Sequence, residues 1–272
     1  TANSNADGNG HGSFAYAPPS GFLALCSQNL PDVDIIDGTE NFNTVLWTGN
    51  SSTSRAISFG HQTGLAWVKN RTGYHHRWAD VVRGANKHLY SSLTNAEGTD
   101  TTEIIGFDSD GITVGNSVAV NGSAANPIVG WSWMADTAFS NDASATGVGT
   151  IDSEGQVNAT AGFAIIKYTG TRSSDAGETG TPTTIAHGLG KKPTMVITKR
   201  RDGTGSWNVW HQGYQPDATY LNYQLKLEST DASNNAGWQR TDTGFSTTVF
   251  CPARYSYDDV SGADYIAYVF TD

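Results

Sequence analysis

The phrase FNTVLWTGN at residues 42–50 is written again, at one constant offset, as FAIIKYTGT at residues 163–171. Phe42 answers Phe163, Trp47 answers Tyr168, and Thr48-Gly49 answers Thr169-Gly170. A chain that repeats itself in this way must adopt a fold that can be built twice. Further matches follow in the same order. LAWVKNRTG (65–73) answers MVITKRRDG (195–203), with Leu65 and Trp67 against Met195 and Ile197, and Lys69 or Lys199 ending the same strand face. Trp78 and Gly84 answer Trp207 and Gly213, GITV (111–114) answers GFSTTV (244–249), and IVGWSW (128–133) answers YIAYVF (265–270). The offset grows only in loop-like text, at TRSSDAGETG (171–180) and between Gly213 and Ile266, where insertions into a duplicated fold should fall.

The fold class follows from what is repeated. Val129, Trp131 and Trp133 alternate along one face, as Ile266, Tyr268 and Phe270 do, which predicts a half-buried strand closing each unit. Glycine is abundant (31 residues) and only 15% of residues are charged, the vocabulary of short strands and tight turns rather than solvated helices. The expectation is an all-β protein of two tandem, related antiparallel β-sandwich units. Residues 1–39 read as a tail or connector with one strand, GFLALC (21–26). Copy one spans 40–136, a polar linker with a short hairpin spans 137–162, and copy two spans 163–272. ADVVRGANKHLYSS (79–92) allows a helical turn, although its counterpart contains Pro216. GFLALC reads as a final strand whose sheet partners lie elsewhere, as in a fragment of a longer polypeptide.

Charge narrows the partners. With 16 Lys+Arg against 26 Asp+Glu, the net charge of -10 repels phosphate backbones and anionic lipid, so neither nucleic acid nor membrane insertion is expected. TANSNADGNGHG at residue 1 lacks the basic start and apolar stretch of a signal peptide. Cys26 and Cys251 have no metal-ligand spacing and read as small buried hydrophobes, with their pairing left open.

Few motifs carry chemistry. Asp7-Gly-Asn9-Gly-His11 and Asp108-Ser-Asp110-Gly111 hint at calcium loops. An EF-hand counted from Asp108 would place Ala119 where the bidentate Glu belongs, so Asp108–Gly111 reads as a turn. No nucleophile elbow, P-loop, dinucleotide fingerprint or zinc motif is present, and the acids lie mostly in turn text such as TDTG and YDDV. No catalytic residue, metal or cofactor is expected. The one constellation worth following is aromatic: Tyr74, His75, His76 and Arg83 in copy one, and Trp210, His211 and Tyr214 in copy two, as a sugar platform. Trp78 and Trp207 read instead as matching core residues. The sequons at Asn50, Asn70, Asn121 and Asn158 arise freely in such a composition.

SGFLALCSQNLP resembles the closing strand of concanavalin-like, SPRY-type lectin domains of phage structural proteins. NTVLWTGN, LAWVKNR, FDSDGITVG and VNGSAANPIVGWSW, with TAGFAIIKYTGT and IAHGLGKKPTMVITKRRD, resemble an uncharacterised duplicated domain that follows such lectin domains in tail-fibre-like proteins of aquatic phages. Two departures are Thr63-Gly64, where that pattern has Pro-Asp, and Ser132, where it often has Cys. The resemblance brings no catalytic residues. It implies a non-enzymatic virion protein (tail fibre, spike or capsid-attached fibre), assembled in the host cytoplasm. Its expected partners are itself as a homotrimer, other virion proteins and a host surface glycan. A carbohydrate-binding module using the aromatic loops is the second reading, and a polysaccharide depolymerase the third. In the first, the enlarged loop 171–180 would carry partner-specific contacts.

Overall fold

The computed structural model describes residues 4–30, 35–122, 126–172, 183–214, 223–232, 234–235, 244–252 and 259–272. The chain forms two compact units, Thr1–Ile36 and Asp37–Asp272.

The small unit is organised by one carboxylate. Asp7 Oδ1 accepts the amides of Asn9 and His11, and Oδ2 accepts the amide of Ala24 and the side chain of Asn29. These donors, the Ala24 amide foremost, hold the carboxyl far below its usual range. A carboxylate ringed by N–H groups is an anion cage already closed from within, the opposite of a calcium loop. The strand expected at residues 21–26 is not there. Gly21 turns the chain at φ 88, Ala24 donates to Asp7, and Leu25 stands 103% exposed. A strand needs a ladder, and this segment's amide is committed to a side chain instead.

The large unit is all-β, and its ladders are antiparallel. Its first half is a four-stranded sheet in the order Phe42–Thr48, Pro127–Trp133, Leu65–Asn70, Arg77–Asp80. The second half is an eight-stranded sheet, and its inner strands run Phe163–Thr169, Asp264–Thr271, Pro193–Arg200, Trp207–His211, the same order again. The register repeats as well. Phe42 and Leu65 flank Trp133 as Phe163 and Met195 flank Phe270, and Trp67 faces Trp131 as Ile197 faces Tyr268. One sequence match is displaced: Trp78 pairs with Trp67, but Ile197 pairs with Val209, and Trp207 lies opposite Lys199. A shift of two keeps both tryptophans on one face, so the match survives in chemistry though not in register.

Residues 137–162, read as a linker, are part of the second sheet. Thr137–Asn141 and Ser153–Asn158 pair with each other, and the latter pairs with Phe163–Thr169. One helical turn joins them, Ala143–Thr146, capped by Asp142 and ended by Gly147 at φ 68. Residues 79–92 hold a strand end, a turn and the bridge between Trp78 and Leu89 rather than helix. Loop 173–182 and Pro216 lie outside the described residues.

Three cores result. Trp47, Ile57, Phe59, Val68 and Ile112 fill the space between the four-stranded sheet and a three-stranded sheet of Arg55–Ser58, Gly111–Val114 and Ile104–Asp108. Ile166, Tyr168, Val196, Trp210, Phe250 and Val269 fill the outer layer of the second half. Between the large sheets lies the third: Leu65, Trp78 and Leu89 against Phe163, Ile165, Ile197, Trp207, Ile266 and Tyr268. The alternating face of Ile266, Tyr268 and Phe270 therefore packs against the other sheet through Leu65, Trp78 and Trp133. The strand Asp264–Thr271 is buried on both sides over residues 265–269. Gly130 is needed opposite this face, because a Cβ there would lie 2.8 Å from the rings of Phe59 and Trp47.

Candidate functional site

The junction of the two halves collects the strongest polar groups. Asp80 ends the strand Arg77–Asp80, and alternation points it with Trp78 into the middle core, where it is fully buried. Its Oδ2 accepts Arg83 Nε at 2.6 Å and the Tyr268 hydroxyl at 2.7 Å, and its Oδ1 accepts the Arg83 amide. Arg83 also donates to Trp78 O and approaches Glu97 at 3.4 Å, and Glu97 is held by Arg201 Nε at 3.0 Å. Burial opposes the Arg83 charge, yet Asp80 and its neighbours overcome this and raise its pKa further. Burial raises the Tyr268 hydroxyl well above its ordinary value. The chain Tyr268–Asp80–Arg83–Glu97–Arg201 thus crosses from one half to the other and back. Trp207 Nε1 adds a bond to Tyr90 O, and Gly205 N one to Thr94 O.

Arg83 is accordingly a structural arginine, not a ligand donor. Trp210 is also withdrawn: it is 3% exposed and stacks on Phe245 at 4.0 Å, on the sheet face away from Trp207. His211 and Tyr214 are exposed at the end of that strand, where His211 Nδ1 accepts the Gly213 amide. The copy-two group is therefore divided between core and surface.

The copy-one group is divided differently. Lys69 Nζ donates to the carbonyls of Asn70, Gly73 and Tyr74, each at 2.7 Å, which winds the following loop around one ammonium. Asn70 fixes the same loop by accepting from Thr72 and donating to Val118 O. Tyr74 sits there at φ 64, with its side chain 52% exposed. His75 lies against Tyr90, with ring centroids 5.7 Å apart, and contacts Ser92 Oγ at 3.1 Å. Tyr90 also carries Arg77, whose guanidinium is 4.6 Å from the ring centroid. His76 turns to the other face. Its Nδ1 accepts Trp67 Nε1 at 2.9 Å, and Trp67 packs on Trp131 at 5.2 Å. Burial, with Lys69 and His75 nearby, lowers the His76 pKa. Trp67 and Trp131 were not among the expected site residues, though their alternation with Lys69 and Trp133 marks the face they share.

A second polar cluster joins the two departures noted in the sequence. Thr63 Oγ1 and His61 Nε2 both meet Ser132 Oγ at 2.9 Å, and His61 Nδ1 meets Thr39 O. Thr63 and Ser132 are fully buried, so this is an internal pin. An open cleft of about 440 Å³ is bordered by Asp142, Asp152, Glu154, Lys167, Arg201 and Asp264. Its carboxylates serve the fold: Glu154 pairs with Lys167 at 2.8 Å, Asp142 caps the helical turn, Asp152 accepts the Ala143 amide, and Asp264 accepts Thr169 Oγ1. Asp108 accepts Thr113 Oγ1, as befits a turn residue. Among the described residues no group of three His, Cys, Asp or Glu could hold a metal, and Cys26 and Cys251 are not joined in a disulfide.

No curated protein and no solved structure matches this chain. A family model does, over residues 37–272, and its first residue coincides with the boundary between the two compact units. The chain belongs to the family described as a domain of unknown function, DUF7483.

Proposed function

We propose that this chain is a non-enzymatic structural protein of a phage virion, part of a tail fibre, spike or capsid-attached fibre that contributes to host-surface attachment. The observation that carries the proposal is the buried junction between the halves. An aromatic core and the Tyr268–Asp80–Arg83–Glu97–Arg201 chain weld two similar sheets into one body. Other buried carboxylates brace each half from within: Glu103 pairs with Arg77 at 2.6 Å, and Asp259 accepts from Thr171 and Thr183 and lies 3.6 Å from Arg172 Nε. Charges committed to internal pairs resist shear and suit a load-bearing part. The virion setting comes from the sequence resemblance, and with it the expected homotrimer and virion partners. The Trp67–Trp131–His76 cluster favours a second reading, carbohydrate binding, which is compatible with attachment.

The test is location and mass. Light scattering should give three times the 28.9 kDa chain, and antibodies against the chain should decorate purified particles. A monomer that is absent from particles would refute the proposal.

A further inference from the structure

The packing of the two halves leaves one corner of the four-stranded sheet less covered than the rest. On the face of the middle core, one row across the ladder runs Thr44, Trp131, Trp67, Trp78. Trp78, at the hairpin end, is buried under Trp207 and Tyr268. Toward the opening strand the cover ends: Trp67 and Trp131 are half-buried, Thr44 is exposed, and Leu46 in the next row is 66% exposed. The counterpart strand of the other half shows how unusual this is. Phe163–Thr169 lies inside its sheet, with Phe163 and Ile165 in the core, and its Lys167 is paired to Glu154.

The polar groups of this corner are fixed before any ligand arrives. Trp67 Nε1–H donates to His76 Nδ1, so a neutral imidazole must carry its proton on Nε2. Burial lowers the affinity of that ring for a second proton, so the neutral form is present at pH 7. Lys69 offers a ligand no spare donor, because all three of its protons point to backbone carbonyls. Those bonds also hold the loop that carries Tyr74 at the rim. Two adjacent indoles and one directed N–H donor, with the nearby ammonium turned into its own loop, describe a surface for a flat ligand with one apolar face and several hydroxyls.

We propose that Trp67, Trp131 and His76 form a platform for a neutral hexopyranose, its C–H face stacked on the indoles and a ring hydroxyl accepting His76 Nε2–H. This rests on the attachment reading above and assigns it a ligand class. A nucleic acid or acidic glycan would meet a chain of net charge -10, with the Lys69 ammonium donors already engaged by backbone carbonyls.

The experiment titrates the whole chain with hexasaccharides of glucose, galactose and mannose, into the millimolar range, by tryptophan fluorescence and calorimetry. At least one should give saturable heat with a blue-shifted emission. Trp131→Ala and His76→Ala should each weaken it about tenfold or more, with native mass and a cooperative melting transition retained. His76→Gln, which can still donate, should recover part of the loss. Saturable binding indifferent to both alanine variants would overturn the platform while leaving a sugar site elsewhere on the molecule. No response to any of the three sugars would also overturn it, and particle labelling would then decide separately whether the virion role stands. A change of native mass in Trp131→Ala would overturn it in favour of a contact between copies of the chain.

Discussion

Replacing Asp80 by alanine should be among the most damaging single changes in the protein. The carboxylate is the shared acceptor of Arg83 from one half and Tyr268 from the other, and all three side chains are buried. Removing one member of a buried ion pair costs about 3–5 kcal/mol, because the remaining charge is left uncompensated. Glu97, 3.4 Å from Arg83, offsets only part of this. The orphaned Tyr268 hydroxyl adds about 1–3 kcal/mol. The two terms overlap, since they share one carboxylate, so about 4–6 kcal/mol is the expected loss. A domain of this size has about 5–15 kcal/mol in total, and each kcal/mol moves its midpoint by about 2–4 °C. Asp80→Ala should therefore melt about 10–20 °C early. Tyr268→Phe keeps the ion pair and should cost about 1.5–3 kcal/mol. The double variant should cost little more than Asp80→Ala alone, because both single changes break the same bond. Thermal and urea unfolding followed by far- and near-ultraviolet circular dichroism would measure all three. The wild type should unfold in one transition by both probes, as one welded body does. A midpoint shift of Asp80→Ala below about 3 °C, or separate transitions of which only one responds, would refute the reasoning.

Other consequences are quick to check. Gly130→Ala should cost about 1–3 kcal/mol by urea denaturation, since its Cβ would meet the Phe59 and Trp47 rings at 2.8 Å. Trp210→Ala should cost about 3–5 kcal/mol in the same assay, as a core residue stacked on Phe245 rather than an exposed ligand contact. Acid should destabilise the fold through His187 and His88. Burial pushes both down to about 4, while the unfolded chain binds the proton near 6.5. Stability should be level above pH 6.5 and fall as pH drops toward 4, by up to about 1.4 kcal/mol per pH unit for each histidine. His187→Asn should flatten that slope in a series of melting curves. Neutral His88 also means that its 3.2 Å approach to Glu103 is not an ion pair.

The matching strand order and register of the two sheets were legible because they are written in side-chain alternation, and alternation is what a ladder preserves. Trp67 against Ile197 and Trp131 against Tyr268 hold the same register, and the all-β class follows from the same text. Partners across a core are another matter. A period-2 aromatic face says that something covers it, not what, so nothing in YIAYVF announced that its cover would be the face of IVGWSW's sheet. Nothing in the local text paired Asp80 and Glu97 with their cations, because Arg83 and Arg201 are placed by the fold, in one case from the other half. Tyr74 and His76 stood out as an aromatic stretch beside a turn, whereas Trp67, which His76 meets, and Trp131 read as members of half-buried strands. GFLALC failed for a local reason, since its Ala24 amide had a carboxylate waiting at Asp7.

The position of the strand Asp264–Thr271 has a consequence for synthesis. It lies between Phe163–Thr169 and Pro193–Arg200, pairing with both. Until residues beyond 264 have left the ribosome, those two strands have open edges and no common neighbour. The first half likewise waits without the aromatic face that covers it. Nascent chains should therefore stay protease-sensitive and prone to capture by chaperones until that strand has emerged, and then close in one step. Loss of the strand Asp264–Thr271 would yield not a trimmed domain but an unfolded one, since both of its neighbours would lose their shared partner.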